Sequence, residues 1–233
     1  MNIKVVTDSS SDLSAEIAKE LGITIVPLYV RFGEEIYRER VTISDDEFYK
    51  RLLEGTVHPV TIQPGPNDFI EVYQKIAQEA DGIVSIHISS KLSGTLNSAL
   101  QAKNMVVTNC PIELVDSRTV SVALGLITLA IAEAAKQGKE LQQVLEVAKE
   151  AIDNTHSLCL LDTLKYLQLG GRIGKAKALL GTVLNIKPLI TVKDGEVVPA
   201  GQTRSRTKGL EQLFNFVKGA ASVEDVAIGY STT

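Results

Sequence analysis

The chain has 233 residues, 44% of them hydrophobic, with no Trp, only five Phe and six Tyr, and a net charge of −4 at pH 7. That length suits one large domain or two modest ones, with a core built of Ile, Val, Leu and Ala rather than of rings. No run approaches the roughly 18 consecutive apolar residues of a membrane span, and nothing in the charge balance calls for a nucleic-acid partner.

Ile3 to Val6 reads as a first strand that the chain enters directly from Met1, with no charged and apolar leader. The hydroxyl- and acid-rich Thr7-Asp8-Ser9-Ser10-Ser11-Asp12 follows, then a helix over Ala15 to Leu21 for which Asp12 and Ser14 are competing caps. Ile23 to Phe32 reads as a second strand and Asp45 to Glu54 as a helix. The stretch Thr61-Ile62-Gln63-Pro64-Gly65-Pro66 leads into a helix over Asn67 to Ala80. Ile83 to Ile88 is an apolar, β-branched run that reads as a buried strand, and Ser93-Gly94-Thr95 falls at the turn into a helix over Leu96 to Val107. A strand over Ile112 to Val115 and helices over Thr119 to Lys136 and Glu140 to Asn154 complete the alternation.

Strands alternating with helices predict an α/β protein with a mostly parallel sheet, here over residues 1–155. Beyond His156 the style changes. A short helix over Thr163 to Leu169 and the glycine-rich Gly170-Gly171-Arg172-Ile173-Gly174 precede a hairpin of Ile186 to Val192 and Glu196 to Gln202 about Lys193-Asp194-Gly195. A second, smaller α+β domain is expected over residues 156–233. Val226 to Tyr230 looks like a strand followed by an unused cap, so a truncated C-terminus is expected. Charge is uneven: Lys165 to Lys208 holds nine basic residues against Asp194 and Glu196, a net of +7, leaving −11 for the remainder. That stretch is either a solvated face or a surface for an acidic partner, a phosphate or an anionic membrane.

The chemistry points to binding. Serine hydrolysis needs a base beside its nucleophile, and no serine sits in a GxSxG elbow. Of His58, His87 and His156, His87 alternates within a strand and His156 lies at a domain junction, while His58 is placed to reach Thr61. Neither Ser93-Gly94-Thr95 nor Gly170 to Lys175 is a Walker loop. Cys110 and Cys159 lie outside any CxxC or Cys/His spacing, as expected of reduced thiols in a cytoplasmic protein. Asp8, Asp12 and Asp116 are the acids that the sheet edge would gather around a metal, with capping of the next helix as the competing reading of Asp12. A helix start offers unpaired N–H groups and partial positive charge, and Gly94 lets the backbone approach closely, so a carboxylate or phosphate fits there. Ser93 as a plain N-cap accounts for the same residues.

Taken together, Thr7-Asp8-Ser9-Ser10-Ser11-Asp12-Leu13, the Thr61 to Pro64 segment, Leu92-Ser93-Gly94-Thr95 with Ser98-Ala99, Val115-Asp116-Ser117, and Gly171-Arg172-Ile173 with Arg204-Ser205-Arg206 resemble the DegV family of bacterial fatty-acid-binding proteins. The likeness spans essentially the whole chain in order. It implies a non-catalytic, lipid-binding cytoplasmic protein that buries a long-chain fatty acid such as hexadecanoate and needs no cofactor or metal. The carboxylate would be held by Thr61 and Ser93, with Gly94 and Thr95 at the same helix start. It further implies presentation of the acid to a fatty acid kinase, with Arg172 and Arg204 facing that partner; transient contact with a membrane surface is an expectation of the basic stretch instead. Ile62 stands where the family usually has Ser, which removes a hydroxyl beside Thr61. The resemblance also implies a further segment bearing a His near the ligand head. A small-molecule phosphotransferase using the helix start at Ser93 to Thr95 is the competing expectation.

Overall fold

The structure, a computed structural model, describes residues 1–181 and 186–231. The chain forms two compact units, one of Met1–Thr155 to which the chain returns at Ile228, the other His156–Ala227.

In the first unit the order is β1 (Ile3–Asp8), α1 (Ala15–Leu21), β2 (Ile23–Val26), β3 (Tyr29–Phe32), β4 (Glu35–Arg38), α2 (Asp45–Glu54), β5 (Val60–Ile62), α3 (Pro66–Ile76), β6 (Gly82–His87), α4 (Thr95–Met105), β7 (Ile112–Asp116), α5 (Val122–Lys136) and α6 (Leu141–Asn154). Four strands make a parallel sheet in the order β2-β1-β6-β7. Side chains alternate across a strand, and a parallel sheet is covered on both faces, so its central strands are buried along most of their length. All six residues of β6 are buried accordingly. Ile3, Val5, Val84, Ile86 and Ile88 pack with Leu124, Ile127 and Ile131 of α5 and Val144 and Ala148 of α6. Val6, Val26 and Ile83 pack instead with Phe69, Tyr73 and Ile76 of α3 and Ala99 and Ala102 of α4.

The apolar run expected as one strand over Ile23 to Phe32 is two strands in different sheets. Pro27 lacks the N–H that a continuous ladder needs. Past it, β3 leaves the parallel sheet and pairs antiparallel with β4 and β5. The small β4-β3-β5 sheet closes over Val30, Phe32 and Ile43, against which Tyr37 and Phe48 pack.

The second unit has β8 (Cys159–Leu160), α7 (Lys165–Leu169), a 3₁₀ segment over Gly174–Leu179, β9 (Lys187–Lys193), β10 (Glu196–Thr203) and α8 (Arg206–Lys218). The hairpin runs as its turn chemistry dictates, with Asp194 and Gly195 both at positive φ, and pairs with β8 to give the order β10-β9-β8. Ser205 caps α8 by accepting the Lys208 N–H at 3.2 Å. Val226 to Tyr230 is no strand: Val226, Ile228 and Tyr230 are exposed, and no strand among the described residues pairs with them.

Candidate functional site

The strand order creates the site. β1 hands the chain to β2 on one side, whereas β6 hands it to β7 on the other. Loops leaving the two adjacent C-terminal ends diverge, and such a switch point is where open α/β sheets leave a crevice for ligands. The Ser9–Ser11 turn after β1 and the Ser89 to Thr95 loop after β6 flank it.

In the second loop the N-cap of α4 is Gly94 rather than Ser93, and no side chain caps it. Ser93 Oγ instead lies 2.8 Å from Thr95 Oγ1 and accepts the Thr95 N–H at 3.3 Å. The plain N-cap reading of Ser93 is thereby corrected: its hydroxyl lies one position too early and turns onto the helix start. Thr95 is buried and Ser93 is half-buried. A start of this kind, with two hydroxyls and the positive end of an 11-residue helix, favours an anion.

Thr61 lies exposed on β5, paired with Val30, and Ile62 pairs with Tyr29. The segment that follows is pinned at both ends. Asp68 accepts the Gly65 N–H at 2.8 Å and the Tyr29 hydroxyl at 2.7 Å, and that hydrogen bond raises the Tyr29 phenol above its ordinary range. Between these anchors Gln63 reaches α4, where its Nε2 donates to Ser98 Oγ at 3.2 Å. Its amide lies so close to Gly94 that a Cβ there would meet Oε1 at 2.3 Å. The two hydroxyl-rich stretches therefore meet through Gln63, to which sequence reasoning gave no role. Its i and i+4 partners on α4, Gly94 and Ser98, were the available signal.

Between β1, β6 and α3 lies a sealed chain of polar side chains. Asp8 Oδ2 is 2.9 Å from His87 Nδ1, His87 Nε2 is 2.7 Å from Ser85 Oγ, and Ser85 Oγ is 2.8 Å from the Tyr73 hydroxyl. Asp8 also accepts the N–H groups of Ile88 and Ser10 and the Ser10 hydroxyl. In the tautomer that donates Nδ1–H to Asp8, His87 Nε2 is the acceptor for Ser85, whose oxygen in turn accepts from Tyr73. Burial pushes the Tyr73 phenol well above its ordinary range, which keeps it a donor. The order Asp, His, Ser is that of a hydrolytic triad, yet Asp8, Ser85, His87 and Tyr73 are all 0% exposed, so no substrate reaches Ser85.

Asp8, Asp12 and Asp116 do not converge. Asp12 holds Arg40 and Ser121, and Asp116 holds Ser90 and the Arg118 N–H. Among the described residues no group of three His, Cys, Asp or Glu side chains is arranged for a metal ion. Ser14, not Asp12, caps α1, by accepting the Ile17 N–H at 3.2 Å. In the second unit Arg172 and Arg204 are both exposed. Arg172 follows α7 and donates to the Gly170 carbonyl, while Arg204 lies between β10 and the cap of α8.

Fold and site define a class: an α/β protein with a doubly covered parallel sheet and, at its switch point, a helix start dressed with hydroxyls. Residues 2–233 match the profile of the DegV family, described as uncharacterised proteins, and the chain belongs to that family. A DegV domain-containing protein of Deinococcus radiodurans is 38% identical over 218 residues, which is 94% of this chain and 77% of the relative. Two solved structures are close in fold. A fatty-acid-binding DegV family protein from Thermus thermophilus is 38% identical with a TM-score of 0.87, over 94% of this chain and 78% of that one. DegV of Bacillus subtilis, a fatty acid binding protein, is 31% identical with a TM-score of 0.85 over the same shares, 94% and 78%.

Proposed function

We propose that this protein binds a long-chain fatty acid without chemically altering it, holding the carboxylate at Thr61 and Ser93 with Gly94 and Thr95, and that it presents the acid to a fatty acid kinase. The observation that carries the reading is the start of α4, where Ser93, Gly94 and Thr95 form a side-chain-uncapped, hydroxyl-lined seat at the switch point. Relatives of the same fold that bind fatty acids support it.

The physical magnitudes agree. Burying each methylene contributes about 0.8 kcal/mol, so some fifteen contribute on the order of 12 kcal/mol, from which ordering the chain takes back several. Each hydroxyl donor to an ionised head adds about 1.5 to 3 kcal/mol. The tail supplies affinity and the head fixes orientation. Hydroxyls, unlike a buried Arg or Lys pair, leave the head free to depart or react. Arg172 and Arg204 are assigned to the kinase-facing surface.

Denaturing mass spectrometry of purified protein should release a fatty acid, and titration of stripped protein with hexadecanoate should recover binding. A protein that carries no acid and takes up none ends the proposal. Thr61→Ala and Ser93→Ala are each expected to weaken binding about tenfold with folding intact, and wild-type affinity in the double variant removes both from the site. Arg172→Ala and Arg204→Ala should spare lipid binding and slow phosphorylation. A melting temperature raised by Mg²⁺ and nucleotide instead of fatty acid would favour a phosphotransferase.

A further inference from the structure

We propose that the side-chain amide of Gln63 is a third group on the ligand's carboxylate and sets the site's preference for an acid over a neutral lipid of the same length. The inference rests on the fatty-acid reading above.

Three features place the amide. It turns its oxygen and nitrogen edge to the N-cap of α4, where a Cβ on Gly94 would meet Oε1 at 2.3 Å, Nε2 at 2.6 Å and Cδ at 2.8 Å. Ser98, one turn into the helix, accepts from Nε2 at 3.2 Å. The segment carrying Gln63 is fixed by β5 before it and by the bond between the Gly65 N–H and Asp68 after it, at 2.8 Å. The amide is therefore ordered before any ligand arrives, and Gln63 is nonetheless exposed.

The hydrogen-bond count gives it a function. A primary amide nitrogen carries two hydrogens and Ser98 takes one, so a donor remains at the helix start beside Gly94. Turning the amide over changes nothing essential, because Oε1 then accepts the Ser98 hydroxyl and both N–H groups are left over. A carboxylate accepts such a donor strongly, whereas a neutral hydroxyl gains much less. Glycine at position 94 is what admits the amide, since any Cβ there overlaps it.

Gln63→Glu keeps the shape and can still accept the Ser98 hydroxyl, but it sets a negative charge against the head. Gln63→Met keeps bulk and removes the donor. Isothermal titration with hexadecanoate and with hexadecan-1-ol is the test, with the unliganded melting temperature measured alongside. Gln63→Glu should weaken hexadecanoate about tenfold or more and Gln63→Met several-fold, at unchanged melting temperature and with the alcohol altered by less than about twofold. Hexadecanoate affinity within about twofold of wild type in both variants overturns the inference, as does an equal loss of acid and alcohol, which would make Gln63 a loop clasp only. Wild-type protein that fails to take up hexadecanoate sinks the fatty-acid reading itself, and is seen before any variant is compared.

Discussion

Glu39 carries a liability that pH exposes. It is half-buried, accepts the Ser9 hydroxyl, and burial raises its carboxyl above the ordinary range, a shift that the Ser9 bond and Arg40 only partly offset. A carboxyl that holds its proton more tightly in the folded state favours folding when protonated. Stability is therefore fullest below the ordinary Glu range and declines as pH rises through that range to the raised value, above which the penalty is constant. Glu39→Gln, which still accepts from Ser9, should match wild type near pH 4 and exceed it at pH 8. Urea melts at the two pH values check this, and a variant less stable at pH 8 would reverse the sign. Ser93 shows how far single residues are legible: its presence near a helix start follows from the strand-turn-helix pattern, but which residue caps depends on backbone angles that only the folded loop fixes.

At the scale of elements, the Asp8–His87–Ser85–Tyr73 chain ties β1, β6 and α3 together, and α3 begins immediately after the segment that carries Thr61 and Gln63. Ser85 stands in its middle, so Ser85→Ala strands the Tyr73 hydroxyl and His87 Nε2 at once, whereas Tyr73→Phe leaves only one acceptor site of Ser85 unfilled. Expected losses are about 2–4 and about 1–2 kcal/mol respectively, in that order, by denaturant unfolding. The reverse order would mean that the chain is not connected as described. Other elements tested the sequence differently. Helices over Ala15–Leu21 and Asp45–Glu54 follow directly from periodicity and caps. The strands β4 and β5 did not, because short edge strands of half-exposed residues lack a burial pattern. α8 has no counterpart among the expected elements; within it Gly209 permits close approach, with a Cβ there falling 2.5 Å from Leu160.

For the whole molecule, ligand binding and stability are one equilibrium. A ligand bound only by the folded state at about one hundred times its Kd adds about 2.7 kcal/mol, or roughly 5–10 °C in melting temperature for a chain of this size. Hexadecanoate should produce that shift in wild type by differential scanning fluorimetry, and the Thr61→Ala/Ser93→Ala protein should lose most of it with an unchanged unliganded melting temperature; an undiminished shift would place the head elsewhere. Sequence alone determined the α/β class, the parallel core and the family, because these rest on local periodicity and on ordered motifs spread along the chain. It also marked both hydroxyl-rich stretches. Only the tertiary structure decided that they meet at the divergence of β1 and β6, that Gln63 joins them across Gly94, and that an Asp-His-Ser order lies sealed against substrate. Sheet order, close approach and burial are relations between residues distant in the chain, fixed by packing, and neither spacing nor composition encodes them.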